Sequence, residues 1–116
     1  MDAGLKVFEY LEDEGHDVYF PNSHKGVVNA PIIVIYDMGQ YSQFNNRFVG
    51  STLIHLILHV PQDKYLDIID LKEKVRKDMK CLKHLLKATG TETPTINDDI
   101  KKSYTLSIEY EVLKKL

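Results

Sequence analysis

The spacing of apolar positions predicts two helices, one on each side of a block of strands. In residues 2–14, Leu5, Phe8 and Leu11 recur at helical spacing, and Gly15 follows as a residue suited to ending a helix. Each residue of an α-helix turns the chain by about 100°, and on this basis a second, longer set of apolar residues lies within about 40° of one line along a helix. Its members are Ile68, Leu71, Val75, Met79, Leu82 and Leu86. We therefore expect a short first helix and an amphipathic helix of about six turns from residue 63 to residue 86 or 87.

The segments between and after the helices have the patterns of strands. Residues 16–20 are short and extended, and residues 22–30 form a turn-rich connection. Residues 32–38 are β-branched and apolar at successive positions, which is typical of a central strand. Residues 101–113 alternate between apolar and polar positions, and in residues 51–60 every even position except Thr52 is apolar, so each of these strands is expected to have one face turned toward the helices.

The alternation assigns side chains to the two faces of the sheet. Toward the helices we place Thr52, Ile54, Leu56, Leu58 and Val60 from one strand and Tyr104, Leu106, Ile108, Tyr110 and Val112 from the other. On the opposite face we place Leu53, His55, Ile57 and His59, and we expect Thr105, Ser107, Glu109 and Glu111 to point to water. This opposite face is half apolar, and two helices can cover only one side of a sheet, so it is a candidate assembly surface.

The order of the elements predicts the fold class. Helices flank runs of strands instead of alternating with them, which favours an α+β fold with a mostly antiparallel sheet of four or five strands and two helices packed on one face. Residues 39–50 and 88–94 are expected to be loops, and residues 95–100 a short strand or a turn. The length of 116 residues fits one domain over residues 1–116.

Composition excludes several classes of protein. The chain has 43% hydrophobic and 28% charged residues and a single cysteine, so neither a disordered chain nor a disulfide scaffold is expected. Its apolar runs are shorter than the roughly 20 residues of a membrane span. The acidic N-terminus does not resemble a secretory signal, which predicts a cytoplasmic protein.

The charge distribution is uneven, although the net charge is only −2. Residues 1–50 hold 3 basic and 7 acidic residues, whereas residues 51–116 hold 12 basic and 10 acidic residues. One interpretation is two solvated helix faces. The other is a self-complementary surface, on which the acidic edge of one subunit meets the basic edge of its neighbour in a head-to-tail contact that can close a ring.

The motifs that usually carry catalysis are missing from the sequence. It has no phosphate loop, no dinucleotide-binding fingerprint and no nucleophile elbow. His55 and His59 are four residues apart on one strand, about 13 Å, so they cannot share a metal ion within one subunit. Cys81 lies among ordinary helix-surface residues. We therefore predict that the protein is not an enzyme, with no catalytic residues, no cofactor and no metal.

The segment 40–49 stands out because it mixes aromatic and amide side chains. One interpretation is a loop folded onto its own sheet, another is a protein-binding loop that becomes ordered on assembly, and a third is base stacking, which lacks a basic groove. We assign the protein interface to this segment and to the half-apolar sheet face. The residues are Gln40, Tyr41, Phe44, Arg47, Phe48, His55 and Ile57.

Four segments follow one another in the order strand, strand, helix and strand. They are A-P-I-I-V-I-Y-D, S-T-L-I-H-L-I-L-H-V, D-I-I-D-L-K-E-K-V-R-K-D-M-K and S-Y-T-L-S-I-E-Y-E-V. This order resembles that of the tail terminator (tail completion, head-to-tail joining or minor capsid) proteins of long-tailed bacteriophages. It implies a homohexameric ring at the end of the tail tube that stops tube polymerisation and joins the tail to the head connector. It also implies three partners (the chain itself, a tail tube protein and a head connector protein), with neither a membrane nor nucleic acid involved.

The resemblance further implies where the protein works and what it does not need. The expected location is the cytoplasm of a bacterial host during assembly of a phage or prophage, and then the virion tail. The resemblance places function in the loop between the two central strands, residues 40–49 here, and in the ring interfaces. It implies no catalysis and no cofactor. Two alternatives stay open: a non-catalytic, dimeric regulatory or adaptor domain, and a small enzyme that uses Cys81 and the histidines.

Overall fold

The computed structural model describes residues 3–21, 23–43 and 46–112, without the side chains of residue 3 and of residues 37–43 and 46–52. These described residues form two α-helices and six strands. In chain order they are α1 (Ala3–Asp13), β1 (Val18–Tyr19), β2 (Ile32–Gln43), β3 (Asn46–Pro61), α2 (Asp67–Met79), β4 (Leu86–Glu92), β5 (Ile96–Asp98) and β6 (Ser103–Val112). Short 3-10 turns, Gln62–Lys64 and Lys80–Leu82, flank α2.

The six strands form one mixed sheet in the order β1-β2-β3-β6-β4, and β5 pairs with β6 beyond the end of β4. Only the β1–β2 pair is parallel among these pairings. The predicted α+β class with a mostly antiparallel sheet is confirmed. The sheet has six strands instead of four or five, because both β4 and β5 pair with the outer edge of β6.

Both helices cover the same face of the sheet. Val7 and Leu11 of α1 and Ile68 and Val75 of α2 are buried in one hydrophobic cluster with side chains from the central strands. The members from β2, β3 and β6 are Ile33, Ile35, Ile54, Leu56, Leu58, Val60, Leu106, Ile108 and Tyr110. The members from β3 and β6 match the predicted inward positions, so the faces of these two strands were predicted correctly.

The first helix ends as the sequence predicts. Gly15 follows α1 with φ of +94°, a left-handed conformation that glycine adopts without steric cost. The next backbone N–H, from His16, donates to the carbonyl oxygen of Leu11 at 3.1 Å. The chain therefore turns away from the helix and enters β1.

The long second helix was predicted wrongly at both ends. α2 begins at Asp67 rather than Asp63, and it ends at Met79. Leu82 and Leu86 are buried as the apolar stripe requires, but Leu82 lies in a 3-10 turn and Leu86 begins β4 opposite Val112. Burial against the same core satisfies both leucines without further helix, so periodicity alone could not locate the end of α2.

Two predicted loops are strands. Residues 39–43 continue β2 and residues 46–50 belong to β3, with Gln43 paired to Asn46. Residues 88–92 lie in β4. Both segments contain aromatic or β-branched residues, which favour strands, and cross-strand pairing satisfies their backbone groups despite the polar side chains.

Thr105 was expected to point to water but is buried. It lies on the face opposite the helices, where its cross-strand partners are His59 of β3 and Ile96 of β5. The addition of β5 to β6 covers this position. Since β5 is only three residues long, the sequence pattern of β6 could not reveal the cover.

Candidate protein-interaction site

Among the described residues, the hairpin formed by β2 and β3 extends beyond the strands that flank it. β6 pairs with β3 from Pro61 to Thr52, and β1 pairs with β2 only at Ile33 and Val34. In the described part of the chain, Ser51, Gly50 and Asn46 of β3 pair with β2 alone, and the register shifts between Ser42 and Gln43, opposite residues 47–49. We call residues 40–43 and 46–51 the arm. Two strands without a third are marginally stable in water, and their outer edges offer backbone N–H and C=O groups for pairing.

Most of the predicted interface segment lies in the arm. Gln40 and Tyr41 are in β2, where they pair with Thr52 and Ser51, and Arg47 and Phe48 are in β3. Their side chains, and the whole of Phe44, lie outside the described residues. The backbone therefore places four of the predicted residues on one two-stranded element, and their contacts with a partner stay a prediction.

The other two predicted interface residues, His55 and Ile57, lie on the face of the sheet opposite the helices, which we call the open face. His55 Nε2 is 2.8 Å from Glu109 Oε2 on β6. Thr89 of β4 donates its hydroxyl to Glu109 Oε1 at 2.7 Å. The hydrogen bond from Thr89, together with His55, lowers the pKa of the Glu109 carboxyl. His55 thus belongs to a polar ladder that crosses three strands.

Ile57 lines a hollow of about 350 Å³ on the open face. Lys101 lies at its rim, where Nζ donates to the carbonyl oxygens of His24 at 2.9 Å and Gly26 at 3.2 Å and lies 3.1 Å from His24 Nδ1. These contacts hold the connection before β2 against the start of β6. The lysine ammonium is engaged by the protein itself, so this contact is structural.

His59 lies deeper in the same hollow and is buried. Its Nδ1 is 3.0 Å from the hydroxyl of Ser103. Burial lowers the pKa of His59, with a smaller contribution from Lys101 and His24 and an opposing one from Asp98. The neutral imidazole is therefore the form that the fold favours.

Acidification is expected to destabilise the protein through His59. Because its pKa is lower in the folded chain than the usual value of about 6.5, the unfolded chain takes up the proton first as the pH falls. The stability that neutral His59 contributes is fully present above about pH 6.5 and is lost as the pH falls below that value. In denaturant titrations from about pH 7.5 to about pH 5.5, the free energy of unfolding of His59→Gln should depend less steeply on pH than that of the wild type. Parallel pH profiles for the two proteins would contradict this expectation.

The described residues do not bring the remaining candidate catalytic and metal-binding side chains together in one site. Within residues 3–21, 23–43 and 46–112, no group of three histidine, cysteine or acidic side chains is placed to hold a metal ion. Over the same residues, no helix has the length and apolar character needed to cross a bilayer.

Cys81 is exposed in the 3-10 turn after α2. It forms a hydrogen bond with Tyr10, and this bond is the main reason that the pKa of the Tyr10 hydroxyl is raised.

A second hollow of about 370 Å³, which we call the basic pocket, lies beside the end of α2 at the β4 edge of the sheet. Its floor is apolar and its rim is cationic. The floor is formed by Met79, Leu86, Ala88 and Tyr110, and the rim by Arg76, Lys80, Lys83 and Lys87. Glu92 accepts from Lys72 at 2.9 Å and lies 3.9 Å from Arg76. No ion pair engages the three rim lysines among the described residues.

Sequence reasoning missed the basic pocket because it extended α2 too far. A continuous helix would carry Lys83 and Lys87 away from Tyr110, whereas the turn after Met79 brings β4 back along β6. Ala88 then lies opposite Tyr110 in the register. The concentration of lysines was visible in the sequence, but their arrangement around an apolar floor depends on where α2 ends.

Comparison with known proteins adds no assignment. Neither protein-family models nor curated proteins match this chain.

Proposed function

We propose that this chain is a structural assembly protein of the tail-terminator kind. In this proposal it forms a homohexameric ring at the end of a phage or prophage tail tube, stops tube polymerisation and joins the tail to the head connector. The single observation that carries the proposal is the arm, in which β2 and β3 continue past the described extent of β1 and β6. The arm occupies the segment between the two central strands, where the family resemblance implies that function lies.

The geometry of the arm supports an assembly role. A strand edge without a neighbour can accept a strand from another chain, and main-chain hydrogen bonds then supply affinity without a dedicated pocket. The arm residues from Asn46 to Ser51 lack a third strand within the described chain. Contact with a second subunit, or with a tube subunit, would supply the cover that a two-stranded element needs.

The open face supports the same kind of role. Its polar side chains are engaged by their own neighbours, since His55 meets Glu109 and His59 meets Ser103. Ile57 lies between the two histidines on β3, Tyr36 lies opposite His55 on β2, and both are partly exposed. Such a surface suits contact with another protein better than acid–base chemistry, which needs a polar group aimed at a substrate.

The decisive experiment shortens the arm without changing the register of the sheet. Gln40 and Thr52 are cross-strand partners, so residues 41–51 can be replaced by Asn-Gly, which favours a two-residue hairpin turn. The wild type should sediment as a hexamer and appear as rings in electron micrographs. The shortened variant should keep its thermal unfolding transition and circular dichroism but sediment as a smaller species.

Three results would contradict the proposal. The first is a wild type that stays monomeric at high protein concentration, and the second is a shortened variant that still forms hexamers. The third concerns the phage role specifically: the proposal predicts tail tube and head-closure genes beside the gene for this chain, and a different gene neighbourhood would contradict it. As a matched control, Leu66→Ala on the exposed surface before α2 should leave assembly unchanged.

The open face favours a second candidate function, a non-catalytic regulatory or adaptor domain that dimerises through this face. Tyr36 is 38% exposed and pairs with His55 across the strands, next to the partly exposed Ile57. This candidate predicts a dimer that Ile57→Lys dissociates and that shortening of the arm leaves intact. A hexamer that is insensitive to Ile57→Lys would exclude it.

A further inference from the structure

The basic pocket combines an apolar floor with a cationic rim, and a partner that binds there must match both. Leu86 and Tyr110 give it an apolar floor, and the rim lysines, for which the described residues provide no ion pair, surround that floor with positive charge. Lys80 and Lys83 are exposed. A group that fits this pocket has an apolar end to cover the floor and negative charges beside it.

The outer face of α1 carries this combination. Leu5 is 40% exposed, and Glu9 and Glu12 follow it at spacings of four and seven residues, so the three side chains lie along one side of the helix. We call them the α1 stripe. It points away from the core, because the buried Val7 and Leu11 occupy the opposite side of the helix.

The pocket and the stripe lie at opposite edges of the same sheet. α1 contacts β1 and β2, whereas the pocket is formed at β4 and β6. The strand order β1-β2-β3-β6-β4 separates the two edges by the central strands, and both lie on the helical side of the sheet. The inner side of α1 reaches the turn after α2, where Tyr10 hydrogen-bonds Cys81. The α1 stripe lies on the outer side of the helix and therefore does not face the pocket of the same chain, but it can enter that of a neighbour.

We propose that the basic pocket receives the α1 stripe of a second copy of this chain in a head-to-tail contact. Leu5 of the neighbour covers the floor at Tyr110, and its Glu9 and Glu12 face the lysines of the rim. Such a contact joins different surfaces on the two subunits and closes a ring when the rotation between them permits. The inference rests on the proposed function, self-assembly into a ring, and names the surfaces that meet.

Charge reversal on each side tests the contact. Lys80→Glu with Lys83→Glu makes the pocket acidic, and Glu9→Lys with Glu12→Lys makes the stripe basic. Each double variant alone opposes like charges and should raise the concentration needed for half-assembly by at least about tenfold. An equimolar mixture should assemble again, because every pocket then finds an opposite charge in a ring of alternating subunits. The quadruple variant should likewise assemble by itself.

The matched control is Lys74→Glu with Lys77→Glu, two exposed positions of α2 outside the pocket. It makes the same change in net charge and should assemble like the wild type. Thermal unfolding of every variant verifies that the fold is kept. Assembly of the wild type should also weaken as salt is added, since exposed charges are screened.

The outcomes separate this inference from the proposed function. If both double variants form rings as the wild type does, the head-to-tail contact is wrong while the ring proposal stands. If they lose assembly but neither the mixture nor the quadruple variant recovers it, the pocket binds something other than the α1 stripe, and the inference is again overturned. A monomeric wild type overturns the proposed function and the inference with it.

Discussion

Replacement of Leu56 by alanine should lower the free energy of unfolding by about 3 kcal/mol, because it opens a cavity in a site that cannot easily collapse. Leu56 is fully buried at the centre of β3, between Ile35 of β2 and Ile108 of β6. Buried side chains of α1 and α2 pack in the same hydrophobic cluster and cover Leu56. Equilibrium unfolding in urea, followed by circular dichroism, measures the change.

The matched control for this prediction is another leucine. Leu66 is 71% exposed immediately before α2, so Leu66→Ala removes the same atoms from a site that buries little surface. It should change the free energy of unfolding by no more than about 0.5 kcal/mol. Equal losses in the two variants would show that the inward face of β3 has been assigned wrongly.

Asp78→Ala should cost about 2 kcal/mol of unfolding free energy, because it leaves a buried imidazole nitrogen without its partner. His16 Nε2 lies 2.7 Å from Asp78 Oδ2, and the two side chains are only 5% and 16% exposed. The pair joins the chain that leaves α1 to the last turn of α2. Its loss should therefore loosen the packing between the two helices as well as lower the overall stability.

Two variants of α2 make this measurement specific. Glu73→Ala removes an exposed carboxylate from the same helix and should change stability by no more than about 0.5 kcal/mol. Asp78→Asn keeps an oxygen acceptor for the imidazole without the charge, so it should cost less than Asp78→Ala. If Asp78→Ala is as mild as Glu73→Ala, the contact with His16 does not stabilise the fold.

The central strands were predictable from the sequence because burial repeats at every second residue. Ile54, Leu56 and Leu58 point to the core as the alternation requires. The extent of these strands was not predictable, since the arm contains glycine, asparagine and glutamine, which are common in loops. A hairpin pairs its backbone groups within itself, so polar side chains do not prevent it from continuing.

The candidate site could be predicted only in part. The aromatic and amide residues from Gln40 to Phe48 stood out by composition, and the structure places their described backbone in the arm. The basic pocket could not be foreseen, because the same apolar stripe fits either a longer helix or a helix followed by a turn and a strand. The relation between the pocket and α1 likewise depends on the strand order, which links segments distant in sequence.

The sequence by itself determined which face of the central strands points to the core and that the fold is α+β, since these follow from local periodicity and from the number of apolar faces to be covered. Only the tertiary structure decided where α2 ends, how far β2 and β3 continue together, and where the α1 stripe and the basic pocket lie on the sheet. These features depend on pairing between distant strands, and the energy of such pairing is not contained in any one segment.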